Sequence, residues 1–213
     1  MVIVVAIDGP AGAGKSTVAR AVAARLDRDH LDTGAMYRAV TFAALRNGID
    51  VADVAAVAAA SRSLDLAMDE GTVVVDGIDA TEAIRSDEVT RSVSAVAANS
   101  GVRAELVRRQ RAWVDEHGGG VIEGRDIGSI VFPEATLKVY VTASPQVRAQ
   151  RRSAESGSLL GDLDEIEAAI AARDLWDSTR DDSPLRRADD AHLIDTSERT
   201  VDDIVEEIVR MLG

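Results

Sequence analysis

Residues 2–17 read VIVVAIDGPAGAGKST: an apolar run, a glycine-rich loop and the opening of a helical pattern follow one another without a gap. The run does not alternate, as a strand buried on both faces of a parallel sheet requires, and Lys15–Leu26 carries the helical pattern. Between them GPAGAGKS fits G-x-x-x-x-G-K-[ST], with Gly9, Gly14, Lys15 and Ser16 in the named places and in the strand–loop–helix context that the motif demands. The spacing has a chemical cause. Successive backbone N–H groups can wrap phosphate oxygens only where side chains do not block the approach, and the helix behind adds unpaired N–H groups and the positive end of its dipole. Lys15 is a point charge on a flexible stem for the β- and γ-phosphates, and the Ser16 hydroxyl suits Mg²⁺. The chain has lysine only at 15 and 138, against 22 arginines, which makes a lysine in this place by chance rarer still. A nucleoside triphosphate is the expected ligand.

The strand-then-helix rhythm continues. Further strands are expected at His30–Asp32, Val121–Glu123, Leu137–Thr142 and His192–Asp195. Helices are expected at Gly34–Arg46, Ser86–Ala98, Val102–Glu116, Pro145–Ser153, Leu163–Thr179 and Val201–Leu212. This alternation predicts an α/β fold, a three-layer αβα P-loop domain around a five-stranded parallel sheet. A chain of 213 residues can bury one such core, built from Ala, Val, Leu and Ile because aromatic residues make up only 3%. LDLAMDEGTVVVDGIDATEAI breaks the rhythm, and its DEG and DG turns mark short antiparallel strands over roughly 63–84. A single domain is therefore expected, with its core in 1–48, 86–152 and 179–213 and a strand-rich insert at roughly 49–85. The Ser- and Gly-rich SAESGSLLGD predicts a mobile lid at roughly 153–162.

Composition removes several classes of function. The net charge of −13 argues against a nucleic-acid groove, so phosphorylated ligands must be held by local arginine clusters. Absence of cysteine excludes disulfides, thiolate zinc sites and a cysteine nucleophile. No run approaches a membrane span, and the N-terminal residues lack the form of a secretory signal, so a cytoplasmic chain without membrane partners is expected. A GTPase would need N-K-x-D, which the two lysine positions rule out. A kinase with a phosphorylated acceptor must bring two polyanions together, and arginine suits that task through its planar, permanently charged fork. DTGAMYR places Arg38 one turn into a helix, EGRDIGS places Arg125 and Asp126 just past a strand, and RDLWDSTR places Arg173, Asp177 and Arg180 on one helical face. The last pattern also fits an exposed ion pair.

Together with VRAELVRRQRAW and LIDTS, these motifs resemble the bacterial cytidylate kinases, within the nucleoside monophosphate kinases, over nearly the whole chain. The resemblance implies phosphoryl transfer from ATP with Mg²⁺ to CMP or dCMP, giving ADP and CDP or dCDP in pyrimidine metabolism. It makes the strand-rich insert a monophosphate-binding piece and implies a monomer acting on small molecules. It places ATP on Gly9, Ala11, Gly12, Ala13, Gly14, Lys15, Ser16 and Thr17, with Arg148 and Arg152 at the lid base and Ser16 on the metal. It places CMP on Thr33, Arg38, Ser94, Arg103, Arg125, Asp126, Arg173, Asp177 and Arg180, and gives catalytic roles to Lys15, Arg125 and Arg180. Asp126 suits the cytosine amino donor and Arg103 the O2/N3 edge. Thr33 stands where some members carry serine, and any cation in the lid must be arginine. Either Asp8 or Asp32 could assist the metal through water. UMP, AMP or shikimate as acceptor, and a nucleotide-dependent switch, are the competing expectations.

Overall fold

A computed structural model describes residues 2–69, 71–155, 162–179 and 182–213. The expected lid falls mostly on residues 156–161, outside the described residues. The chain divides into two compact units, Met1–Leu31 with Val114–Gly213, and Asp32–Trp113.

The first unit is built on a five-stranded sheet of β1 (Ile3–Asp8), β2 (His30–Asp32), β6 (Gly119–Gly124), β7 (Leu137–Thr142) and β8 (His192–Asp195), in the order β2-β6-β1-β7-β8. β1 pairs in parallel with β6 and with β7, and β7 with β8. This is the expected α/β class. Around the sheet lie α1 (Lys15–Leu26), α6 (Pro145–Glu155), α7 (Leu163–Thr179) and α8 (Val201–Met211). Val18 and Val22 of α1 and Ile204 and Ile208 of α8 close over Val5, Ile7, Val121, Val139 and Ile194 of the sheet. Each aliphatic side chain so buried contributes about 1.5–3 kcal/mol, which is how a core with few aromatics suffices.

β6 starts two residues before the expected Val121. Gly119 pairs with Ile3, and a Cβ there would lie 2.3 Å from the Ile3 carbonyl oxygen, so the early register admits only glycine. After β6 the chain makes a π-helical turn over Ile127–Val131, which the sequence did not announce.

The second unit contains α2 (Thr33–Arg46), α3 (Val54–Ser63), α4 (Asp87–Ala98) and most of α5 (Ser100–His117). It also carries the expected antiparallel meander of β3 (Leu66–Asp69), β4 (Thr72–Val75) and β5 (Ile78–Asp79). Asp76 and Gly77 both take positive φ, 50° and 75°, as the tight turn between β4 and β5 requires. α3 lies in a stretch read as insert without a helix. Its alanines give little periodic contrast, although Asp53 caps it by accepting from Ala56 N at 3.0 Å.

The far end of α3 is held by one side chain from α5. Arg109 donates to the carbonyls of Ser61, Arg62 and Leu64 at 3.2, 3.3 and 2.9 Å, and to Glu105 at 2.7 Å. The last carbonyls of a helix have no intrahelical donors, so this guanidinium caps α3 from outside. Arg109→Ala is expected to lower the unfolding free energy in urea by about 2 kcal/mol, whereas the exposed Arg108→Ala should change it by much less.

Candidate active site

The loop between β1 and α1 is shaped by its neighbours. A Cβ on Gly9 would meet the Val141 carbonyl oxygen of β7 at 2.1 Å, and one on Gly12 would meet Arg148 of α6 at 3.0 Å. Gly12 and Gly14 take left-handed φ values of 73° and 86°. The glycines are thus demanded by close packing and by backbone shape as well as by room for a ligand.

Four loop carbonyls are tied to side chains. Gly9 O accepts from Arg125 Nη1 at 2.7 Å, Pro10 O from Lys15 Nζ at 2.8 Å, Ala11 O from Arg148 Nε at 2.7 Å and Ala13 O from Thr196 Oγ1 at 2.9 Å. Among the described residues every peptide is trans, so the N–H across a peptide bond points opposite to the carbonyl that is tied down. The Gly12 and Gly14 N–H groups therefore face away from Arg148 and Thr196. The Ala11 N–H is taken by Asp174 Oδ1 at 3.3 Å, and Asp174 also pairs with Arg148. Arg148 thus meets the loop through its backbone.

Ser16, on the first turn of α1, donates to Glu123 Oε2 at 2.8 Å, and His30 Nε2 lies 3.0 Å from Glu123 Oε1. Burial raises the affinity of Glu123 for a proton. His30, Lys15 and Ser16 outweigh that and hold its carboxyl below the usual range. Ser16 and Glu123 form an all-oxygen donor set with a charged carboxylate, which suits a hard divalent cation. Thr17 is exposed and Arg152 half-buried.

Asp8, a candidate for metal assistance, is otherwise engaged. Its two carboxylate oxygens accept from the backbone N–H groups of Ile127 and Gly128, each at 2.8 Å, and so fasten the turn that follows Asp126. Burial pushes Asp8 up from 3.8 to about 6, against the pull of those two N–H groups. The folded chain therefore binds the proton more tightly than the unfolded one. The stabilisation linked to it is complete below pH 4 and is lost as pH rises through about 6, a difference of about 3 kcal/mol. Urea titrations of the natural chain and of Asp8→Asn between pH 4 and 7 should show a falling limb that the variant lacks; parallel curves would contradict this reading. Asp32, the other candidate, caps α2 through Ala35 N at 3.0 Å.

Arg125 joins the loop to α7. Its Nε donates to Asp177 Oδ2 at 3.0 Å while Nη1 holds Gly9 O. Beside it Arg173 is half-buried, and its buried Nε finds no hydrogen-bond partner among the described residues. Burial, then the nearby Arg125 charge, weakens the hold of Arg173 on its proton. Guanidiniums crowded together with an unpartnered buried N–H are stabilised by an anion. Asp126, 4% exposed, occupies the N-cap position of the π-helical turn. Arg180 lies outside the described residues.

The remaining expected residues lie in the second unit. Thr33 is buried at the start of α2, and Arg38 of the same helix donates to Ile84 O and Thr90 Oγ1 at 3.0 and 2.9 Å. Ser94 is half-buried on α4. Arg103, only 3% exposed, places its guanidinium carbon 5.7 Å from the Tyr37 ring centre. Glu123, His30, Asp174 and Thr196 were not singled out from the sequence. The only signals were polar residues at strand ends, in EGRD and LIDTS, and an acid beside Arg173.

A strand, a glycine-rich loop with lysine and serine at the head of a helix, and arginines on α6, α7 and the turn after β6 beside a parallel sheet define a P-loop kinase. The described helices include none long and apolar enough to cross a membrane. The cytidylate kinase family matches residues 5–213. The chain is 47% identical over 215 residues to the cytidylate kinase of Corynebacterium efficiens, covering 98% of this chain and 94% of that protein. It is 50% identical over 212 residues to that of Rhodococcus jostii, covering 95% and 91%. A bifunctional pantoate ligase/cytidylate kinase of Synechococcus is 50% identical over 216 residues, with 97% of this chain matched to 40% of that longer protein. The chain belongs to the cytidylate kinase family. Solved structures agree on the fold alone. An uncharacterized protein from Eubacterium ventriosum (TM-score 0.55, 12% identity, 99% and 98% coverage) and the shikimate kinase of Bacteroides thetaiotaomicron (0.50, 13%, 99% and 96%) share it.

Proposed function

We propose that the chain transfers the γ-phosphoryl group of ATP to CMP or dCMP, giving ADP and CDP or dCDP, in pyrimidine nucleotide metabolism. The observation that carries this is Arg125, which holds the first carbonyl of the donor loop with one nitrogen and Asp177 of α7 with another. The kinship with cytidylate kinases supports cytosine as the acceptor base.

The loop N–H groups and Lys15 would receive the donor phosphates, and Arg148 and Arg152 would serve that side from α6. Thr33, Arg38, Ser94, Arg103, Arg125, Asp126, Arg173, Asp177 and Arg180 would receive the acceptor. Asp126 accepts from the cytosine amino group, Arg173 and Asp177 reach the sugar, and Arg38, Arg125 and Arg180 grip phosphate. Ser16 would hold Mg²⁺, with Glu123 orienting its hydroxyl. The metal, when bound, screens phosphate charge and steadies the group in transfer. An acceptor phosphate oxygen is already an anion near neutral pH, so no strong base is needed. Lys15, Arg125 and Arg180 act by position and charge. Water must be kept out while the transfer occurs, a task for the 153–162 segment. A monomer acting on small molecules in the cytoplasm is the corresponding working form.

The test is ADP release with ATP and CMP, dCMP, UMP, AMP, GMP or shikimate in turn. A large rate with CMP or dCMP alone is the expected result. UMP preference would overturn the role of Asp126, and indifference to every acceptor would favour a nucleotide switch.

A further inference from the structure

LIDTS ends β8, and its threonine has no role in the reaction as set out above. Thr196 is 2% exposed, yet its hydroxyl is surrounded by three polar partners. Oγ1 lies 2.9 Å from Ala13 O, 3.0 Å from Thr142 O at the end of β7, and 2.9 Å from Arg151 Nη1 on α6. Arg151 Nη2 also donates to the Thr196 carbonyl at 2.8 Å, and Thr196 N donates to Thr142 O at 2.8 Å. The hydroxyl hydrogen serves the two carbonyls and the lone pairs receive the guanidinium, so the group has a partner on every side.

The consequence lies one peptide bond away. Fixing Ala13 O on Thr196 sends the Gly14 N–H in the opposite direction, because the peptide is planar and trans. Gly14 takes φ 86° and stands immediately before Lys15, as the N-cap of α1, with no side chain to satisfy the N–H groups of the first turn. The orientation of this one peptide therefore decides whether the loop's last amide joins those of α1 in facing a bound anion. Thr142, by comparison, is a bystander: its carbonyl is also met by Thr196 N and has a partner without the hydroxyl.

We propose that Thr196 is a positioning residue for the triphosphate donor, acting through the Ala13–Gly14 peptide. The inference rests on the donor reading given above, and concerns only the affinity and placement of the donor. Loss of the hydroxyl leaves Ala13 O and Arg151 Nη1 without their partner, and the peptide is free to turn its N–H out of line.

The test is calorimetric titration with ADP and, separately, with CMP, alongside steady-state kinetics for both substrates. Thr196→Val, which keeps the shape and removes the hydroxyl, is expected to weaken ADP binding and raise the KM for ATP about tenfold, with CMP affinity within about twofold of the natural chain. Thr196→Ser should restore ADP binding. Where valine prevents folding, Thr196→Cys fills the site with a poorer donor and should fall between serine and valine. A folded Val or Cys variant that binds ADP as the natural chain does overturns the proposal. So does an equal loss of ADP and CMP affinity, the mark of a merely structural role. A natural chain that fails to bind ADP overturns the donor reading instead.

Discussion

Lys15→Met is expected to reduce kcat by about a thousandfold while leaving the far-ultraviolet circular dichroism unchanged. The ammonium reaches back to Pro10 O at 2.8 Å, and methionine retains the length of the stem without the charge. Lys15 also draws Asp8 and Glu123 towards their ionised forms. Its removal would leave two buried carboxylates beside a triphosphate with less compensation, and Asp8 should rise above its value of about 6. Arginine at this position should not rescue, because a planar fork cannot follow a phosphate as a compact ammonium does. A Lys15→Met variant with more than a tenth of the natural kcat would remove the lysine from the mechanism.

Asp126→Ala is expected to lower kcat/KM for CMP about a hundredfold, with the KM for ATP within about threefold. The asymmetry follows from placement. Asp126 sits beyond the end of β6, in a turn whose N–H groups at Ile127 and Gly128 are held by Asp8, and its own carbonyl accepts from Ile130 and Val131. The turn survives loss of the side chain because backbone and Asp8 hold it. In the proposed role, what is lost is the acceptor for an exocyclic amino group, and a polar partner left facing an alanine discriminates strongly. Asp126→Asn, which presents both an acceptor and a donor, should admit UMP better relative to CMP. Equal losses for ATP and CMP would sink the assignment of the base edge to this residue.

The apolar runs disclosed β1, β6 and β7 because these central strands are buried on both faces. His30–Asp32, Leu137–Thr142 and His192–Asp195 appear with the expected limits. The early start of β6 is not legible, because a glycine at a strand entrance looks like a turn and only the closeness of Ile3 shows otherwise. Helix α3 was hidden in alanine, which favours a helix without marking a face. Within the site, the loop was legible because its contacts are local. Glu123 and Thr196 were not, since they meet Ser16 and Ala13 across 107 and 183 residues of sequence. Such meetings follow from the strand order β6-β1-β7-β8, which no motif spells out. The arginines stand out in the sequence without their partners: Arg125 meets Gly9 O and Asp177, and Arg148 meets Ala11 O and Asp174.

The tied carbonyls at Gly9, Pro10, Ala11 and Ala13 bear on the thermodynamics of ligand capture. Glycine-rich segments ordinarily lose much conformational freedom when they close on a guest. Here that loss is incurred when the chain folds, through Val141, Arg148 and Thr196, so little of it remains for the binding step. Nucleotide capture by this loop should accordingly be rapid, with a small entropic penalty from the loop itself.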